Sequence, residues 1–335
     1  MERRLKSIII FMLMFLTFLT FVVFVGCTNE SKKQVVIYTN ADEEAIEVMK
    51  NVLDNEGYEG KYILKSFGTS ELGGKLMAEG SAIEADLITM SSYFIESAQK
   101  QHNMFEQLQF DTGALRKYPS YYTPILANTG SIFVNTQVIN EKSLSMPKSI
   151  KDLTRKEYRR LVSIPNIMDS STGWLLIQAI ISEYGESEGI EIMKALIQNC
   201  GPHIESSGSG PIKKVRVGEV AVGFGLRHQA VADKIEGKPI EVIDPVEGNF
   251  TLTESVAVVK KDDKEISKLA MEMAKVIVKK ARKELINYYP VALYKGEIVN
   301  KINKPANFKV FKEPLTVDLL KVHQNFFKSA VQAVR

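Results

Sequence analysis

Apolar positions between residues 34 and 92 alternate between two periods. Gln34–Thr39 (Gln-Val-Val-Ile-Tyr-Thr) is a short β-branched run that predicts a buried strand. Asn40 follows, with Glu43 three residues on in capping-box spacing, and Ile46, Met49 and Leu53 then recur at helical intervals until Gly57. The unit repeats. Tyr62–Ser66 predicts a second strand, and Gly68-Thr69-Ser70 opens a helix carrying Leu72, Leu76 and Met77. Asp86–Met90 predicts a third, with Ser91-Ser92 starting the next helix. Strand–helix repeats argue for a parallel sheet, in which ligands bind beyond the C-terminal ends of the strands. Thr39 and Asn40, Thr69 and Ser70, and Ser91 and Ser92 stand at those corners. Helix capping accounts for any one of them; three at one sheet edge favour ligand contact at some.

The pattern then changes. Tyr121–Thr136 is a long extended stretch with Pro124 and Gly130 and no helical period, which reads as a crossover between two lobes. A second set of αβ units follows. Leu161–Ile164 predicts a strand, and Pro165–Gly173 a loop into a helix on which Trp174, Ile177 and Ile181 share a face, with Ser170, Ser171 and Thr172 at its start. Glu205–Pro211 (Glu-Ser-Ser-Gly-Ser-Gly-Pro) opens a short helix, Gly218-Glu219 turns into a strand at Val220–Phe224, and Arg227 and His228 follow on a loop and the next helix. Glu241–Asp244 predicts a short strand, and Asn249–Lys260 a return crossover; two crossovers make a hinge. Glu265–Ala281 is amphipathic, with Leu269, Met273, Val276 and Val278 inward, and Val317–Val334 is a last helix.

Hydroxyls and free N–H groups at helix starts, with a cation one strand later, point to a small anion as ligand. On this reading Ser207, Ser209, Ser170, Ser171 and Thr172 donate to it from one side. Arg227 adds a bidentate contact and His228 a further donor. An ion pair for Arg227 and a satisfied imidazole for His228 are the structural alternatives.

Composition and charge narrow the class. The 335 residues are 45% hydrophobic and 25% charged, ordinary for globular chains. Net charge is +3, of which Arg3, Arg4 and Lys6 against Glu2 supply two, so no basic field calls for nucleic acid. Those cations precede an apolar run from Ile8 to Val25, then Gly26-Cys27 and a polar segment: a secretory signal, 1–26, with Cys27 as the lipidated first mature residue and 27–33 as linker. An uncleaved membrane anchor is the alternative, and both place the rest outside the cytoplasm. With Cys27 lipidated, Cys200 is alone, so no internal disulfide and no cysteine metal site is expected. The four histidines are scattered and no G-x-S-x-G elbow occurs, so neither a metal nor a cofactor is expected and an enzyme is disfavoured.

Val-Ile-Tyr-Thr-Asn-Ala-Asp (36–42), Ser-Phe-Gly-Thr-Ser-Glu-Leu (66–72), Ala-Asp-Leu-Ile-Thr-Met-Ser-Ser (85–92), Ile-Phe-Val-Asn-Thr (132–136) and Gly-Glu-Val-Ala-Val-Gly (218–223) carry a resemblance. In that order they resemble the solute-binding lipoproteins of bacterial ABC importers, within the subgroup of ferric-iron, thiamine, sugar-phosphate and 2-aminoethylphosphonate binders. The resemblance implies an α/β, two-lobed type II periplasmic-binding-protein (Venus flytrap) fold, each lobe a mixed, mainly parallel sheet flanked by helices. Lobe 1 is expected at 34–128 plus 252–335 and lobe 2 at 129–251, the C-terminal helix packing on either. It also implies a lipid-anchored monomer on the outer face of the membrane, with a small anionic solute and ABC permease subunits as partners. A sensor reporting to a membrane kinase would have the same fold.

Where ferric-iron members have paired tyrosines, this chain reads Gly225-Leu226-Arg227-His228. A guanidinium cannot ligate Fe(III), which wants anionic oxygens. Phe-Gly-Leu-Arg-His-Gln-Ala together with Ser-Phe-Gly-Thr-Ser-Glu-Leu-Gly-Gly-Lys most resembles the 2-aminoethylphosphonate binders. That ligand implies a partner for its ammonium, with Asp42, Glu71, Glu247, Tyr38 and Tyr93 as candidates. A sugar phosphate or phosphoglycerate is the alternative, ferric iron or thiamine a weaker one.

Overall fold

Three strand–helix units open the fold. In the computed structural model, which describes Lys33 to Val334, Val35–Thr39 (β1), Tyr62–Ser66 (β2) and Leu87–Ser91 (β3) are strands. Glu43–Leu53 (α1), Thr69–Glu79 (α2) and Ser92–His102 (α3) follow them in turn. The expectations for segment 1–26, for Cys27 and for the linker up to Lys32 lie outside the described residues. β1 pairs in parallel with β2 (Val35 with Tyr62) and with β3 (Ile37 with Leu87). The capping box expected at Asn40 does not form. The chain stays extended through Asp42 (φ −67°, ψ 164°), so α1 starts at Glu43 without a side-chain cap.

Thr123–Asn135 (β4) is the predicted crossover, 13 residues, all buried. After Thr136–Glu141 (α4) comes a second parallel set: Val162–Pro165 (β5), Ser171–Cys200 (α5), Ile204–Glu205 (β6), Gly210–Arg216 (α6), Val222–Leu226 (β7) and Arg227–Ile235 (α7). Ile240–Ile243 (β8) and Thr251–Val258 (β9) complete the strands. The order is β2-β1-β3-β9-β4-β7-β5-β6, with β8 also on β4. β4 divides its pairing. Thr123 to Thr129 lie antiparallel to β9, whereas Gly130 to Val134 pair with β7 and Ile132 to Asn135 with β8. β9 in turn pairs with β3. So β4 and β9 carry the chain out of and back into the first set of strands.

Lys264–Val276 (α8), a wide turn at Ile277–Ala281 and Arg282–Tyr288 (α9) pack with α1 on one face of the first set, around Met49, Ala270, Met273 and Ile277. Val317–Val334 (α10) packs on α5, where Trp174 Nε1 donates to His323 Nδ1 at 2.7 Å. Burial lowers the His323 pKa, so the neutral ring accepts this bond.

Between α9 and α10 the chain crosses the two sets of strands a third time, a connection the sequence pattern did not predict. Glu297 is fixed by Arg282 at 2.7 Å. Ala306 and Asn307 then bond to Asp244 and Pro245, and Lys309 N donates to Asn249 O at 3.0 Å.

Candidate functional site

The C-terminal ends of both sets of parallel strands line one cavity of about 160 Å3. One wall comes from the loops after β1 and β2 and from the crossover strands: Asn40, Asp42, Phe67, Gly68, Thr69, Asn128 on β4 and Glu254 on β9. The other comes from the loops after β5 and β6: Asp169, Ser170, Ser171, Thr172, Ser206, Ser207 and Gly208.

The first wall is rich in acceptors. Asn40 Nδ2 donates to Thr69 Oγ1 at 2.8 Å, and Asn128 Nδ2 to Glu254 Oε1 at 3.3 Å. Each amide thereby turns its carbonyl oxygen away from the bond, and both Asn40 Oδ1 and Asn128 Oδ1 are buried without a partner. Ser91, predicted as a contact and the cross-strand neighbour of Glu254, lies outside the cavity lining, and its buried hydroxyl is also unpartnered. Buried polar atoms are rarely left so. Burial pushes the Glu254 carboxyl up to about 8, aided by the charge of Asp42 and opposed by the Asn40 amide. Asp42 rises to about 6, through burial first and then Glu44, with Lys213 working the other way.

The second wall is rich in donors. Ser170 caps α5, accepting from Thr172 N at 3.3 Å, which leaves the Ser171 N–H at the helix start and the Ser171 and Thr172 hydroxyls beside the cavity. On the first wall, by contrast, the first N–H groups of α2 are uncapped by any side chain. The serine loop lies against α5 because residue 208 has no side chain: a Cβ there would stand 2.2 Å from Thr172 Oγ1. Gly208→Ala should therefore force the two loops apart, costing about 1–3 kcal/mol and weakening solute binding; thermal unfolding with and without solute checks both.

The structure gathers six of the thirteen predicted contact residues here: Asn40, Thr69, Ser170, Ser171, Thr172 and Ser207. Asp42, an ammonium candidate, joins them. The others go elsewhere for definite reasons. Thr39 Oγ1 is taken by Thr89 Oγ1 (2.7 Å) and Ala41 N (3.1 Å). Ser70 and Ser209 lie outside the lining, Ser209 next to Ser207 with hydroxyls 3.4 Å apart. Ser92 bonds Thr253 and Ser255 on the other face of β9, since alternate strand residues point oppositely. With Tyr93, which packs edge-on against Trp174 (4.9 Å), it lines a different cavity of about 550 Å3.

Arg227 and His228, the expected centre of the site, are not in it. Arg227 is buried in a bidentate pair with Asp244 (Nε–Oδ1 2.7 Å, Nη2–Oδ2 3.1 Å) and also donates to Ile302 O at 3.2 Å. His228 packs on Tyr289 with ring centroids 4.5 Å apart, and burial lowers its pKa to about 3, so it carries no charge for an anion. Glu247 accepts from Ile150 N, Lys151 N and Tyr184 Oη, capping a turn. Glu71 is exposed and outside the lining, and Tyr38 Oη donates to Glu84 at 2.5 Å.

Glu254 and Asn128 were missed. Their signal is a lone acid in the apolar run 251–259 and a lone amide in 121–136, within the two stretches read as crossovers. Among the described residues no group of three or more His, Cys, Asp or Glu is placed to hold a metal ion. Cys200 is free and buried, with its thiol pKa pushed up by burial.

Residues 78–313 match the family model described as bacterial extracellular solute-binding protein. The chain belongs to that family. This solute-binding protein is similar to solved structures with the α/β periplasmic-binding-protein fold of mixed sheets flanked by helices. One is the periplasmic binding protein AfuA from Actinobacillus pleuropneumoniae with fructose-6-phosphate bound, at TM-score 0.71, 18% identity, covering 90% of this chain and 97% of that one. Another is a periplasmic thiamin binding protein, at TM-score 0.73, 15% identity, covering 92% and 98%. A Haemophilus influenzae protein described as an uncharacterized protein is 28% identical over 116 residues, so the solute-binding protein spans only a third (33%) of that curated relative's length.

Proposed function

We propose that this protein is the extracellular receptor of an ABC importer, and that its cavity takes a small zwitterion, 2-aminoethylphosphonate or a related phosphonate. The supporting observation is the division of the walls. Asn40, Asn128 and Glu254 line one wall of the cavity, and the Asn40 and Asn128 amide oxygens are buried acceptors without partners. An oxyanion brings no donors to such a wall, whereas an ammonium brings three. The serine and threonine hydroxyls and the α5 start opposite suit phosphonate oxygens, and the helix dipole favours their charge. A volume of about 160 Å3 is small beside the ~300–1,000 Å3 of drug-sized sites, which fits a compact solute.

Capture then follows from the strand pairing. Residues 34–128 with 252–316, and 129–251 with α10, are the two lobes; β4 and β9 are the hinge, and closure brings the walls together. Lipid on Cys27 anchors a monomeric receptor beside its permease. A thermal-shift panel tests the solute: 2-aminoethylphosphonate, ethylphosphonate, phosphate, β-alanine, fructose 6-phosphate, phosphoglycerate, thiamine and ferric citrate. The aminophosphonate at a hundredfold excess over its Kd should stabilise by about 2.7 kcal/mol, with ethylphosphonate far weaker. Stabilisation by fructose 6-phosphate or ferric citrate alone would overturn the assignment.

A further inference from the structure

Glu254 is held where its charge has no ready partner. Its backbone sits on β9 between β3 and β4, opposite Ser91 on one side and Leu126 on the other, so the strand cannot swing it out to water. The residue is 5% exposed. Its donors are neutral amides: Asn128 Nδ2, at a long 3.3 Å, and the Asn40 side chain, whose effect is outweighed by burial. The charged and titratable groups around it do not neutralise it. Asp42 and Glu44 at the start of α1 and Asp169 across the cavity are acids. Tyr289, after α9, and Tyr93, on α3, are phenols whose burial keeps them neutral. Lys213 on α6 is exposed and acts on Asp42. An unpaired buried carboxylate is strongly disfavoured, and such a group takes up a proton instead.

We infer that the receptor captures its solute's ammonium in exchange for a proton held on the Glu254 carboxyl. The inference rests on the proposed ammonium-bearing solute. In the empty cavity the carboxyl is neutral. The solute arrives as R–NH3+ and donates to Glu254, Asn128 Oδ1 and Asn40 Oδ1. The carboxyl O–H breaks, its proton goes to solvent, and the ammonium replaces that proton's charge, so the charge at this wall is unchanged. The wall is therefore selective twice: an amine-free anion supplies no donor and cannot displace the proton.

Two measurements on the full mature chain test this. In the ligand-free protein, a 13C titration of the Glu254 carboxyl should have its midpoint above pH 7. A midpoint in the ordinary carboxylate range would overturn the exchange whatever the solute. Calorimetry with 2-aminoethylphosphonate, β-alanine and ethylphosphonate, in buffers of different ionisation enthalpy at pH 6.5, then reads proton release. An ammonium-bearing probe should release about one proton, and its affinity should fall about tenfold per pH unit below 7. Glu254→Gln should release none and lose the pH dependence, while Asp42→Asn still releases. Release lost in Asp42→Asn but kept in Glu254→Gln would overturn the assignment to Glu254. Binding of β-alanine with release, but not of the aminophosphonate, leaves the exchange standing and removes the phosphonate reading. Binding of ethylphosphonate alone removes both.

Discussion

Arg227→Ala should lower stability by about 3–5 kcal/mol, the usual result of stripping one partner from a buried ion pair, and leave solute affinity within a few-fold. The side chain is 9% exposed, pairs bidentately with Asp244 and also reaches Ile302 O and Lys304 O. Burial works to raise the Asp244 carboxyl, but the bonds from Arg227, Ala306 N and Ser131 outweigh it and hold it below its ordinary value. Without Arg227, Asp244 is left half-paired beneath the third crossing, and the crossing loses two of its anchors on α7. A depressed carboxyl contributes stability above its unfolded value near 3.8 that is lost as pH falls through the folded value. The wild type should therefore lose its advantage over the variant in acid. Urea unfolding at pH 7 and pH 3.5 reads both effects. Unchanged stability together with tenfold weaker solute binding would instead return Arg227 to the anion-binding role its sequence position suggested.

The same residue shows where sequence reading stops. Hydrophobic period and turn chemistry mark elements well, because each strand and helix here has one buried face set by local spacing. β1, β2, β3, both crossover strands and the hydroxyls at helix starts were all legible that way. The third crossing was not, because 296–316 has neither period and is held by backbone groups bonded to Asp244 and Asn249. Nothing in the sequence says that a cation seventeen positions before Asp244 is already taken. The reverse error hid Glu254. A strand reads as core when its neighbours are Val256, Ala257 and Val258, and only the pairing of β9 with both β3 and β4 brings its one acid beside Asn128 and Ser91. Ser92 was misplaced by half a period: as the cap-side neighbour of Ser91 it looked equivalent, yet it points to the opposite face of the sheet.

The second large effect follows from that acid. Glu254→Gln should make the empty protein more stable in alkali by on the order of 2–5 kcal/mol, with little difference below pH 5. Between the ordinary value near 4.5 and the folded value of about 8, the folded state holds more protons at this position than the unfolded chain. Wild-type stability must therefore decline across that window as pH rises, and a glutamine, which never ionises, escapes the decline. Full use of the shift at 1.36 kcal/mol per unit sets the upper end, and Asp42, whose charge contributes to the shift, sets the lower by taking up part of the proton itself. Denaturant melts of both proteins at pH 5, 7 and 9 give the comparison directly. Parallel curves for wild type and variant would mean that Glu254 is ionised or paired throughout, and would remove the proton it is proposed to exchange. A widening gap in favour of glutamine, closed by saturating aminophosphonate on the wild type, would show a binding wall kept at the expense of the empty fold. On the proposed exchange, an ammonium would meet an ionised carboxyl only above that folded value; below it, binding must first displace the proton, which lowers the apparent affinity.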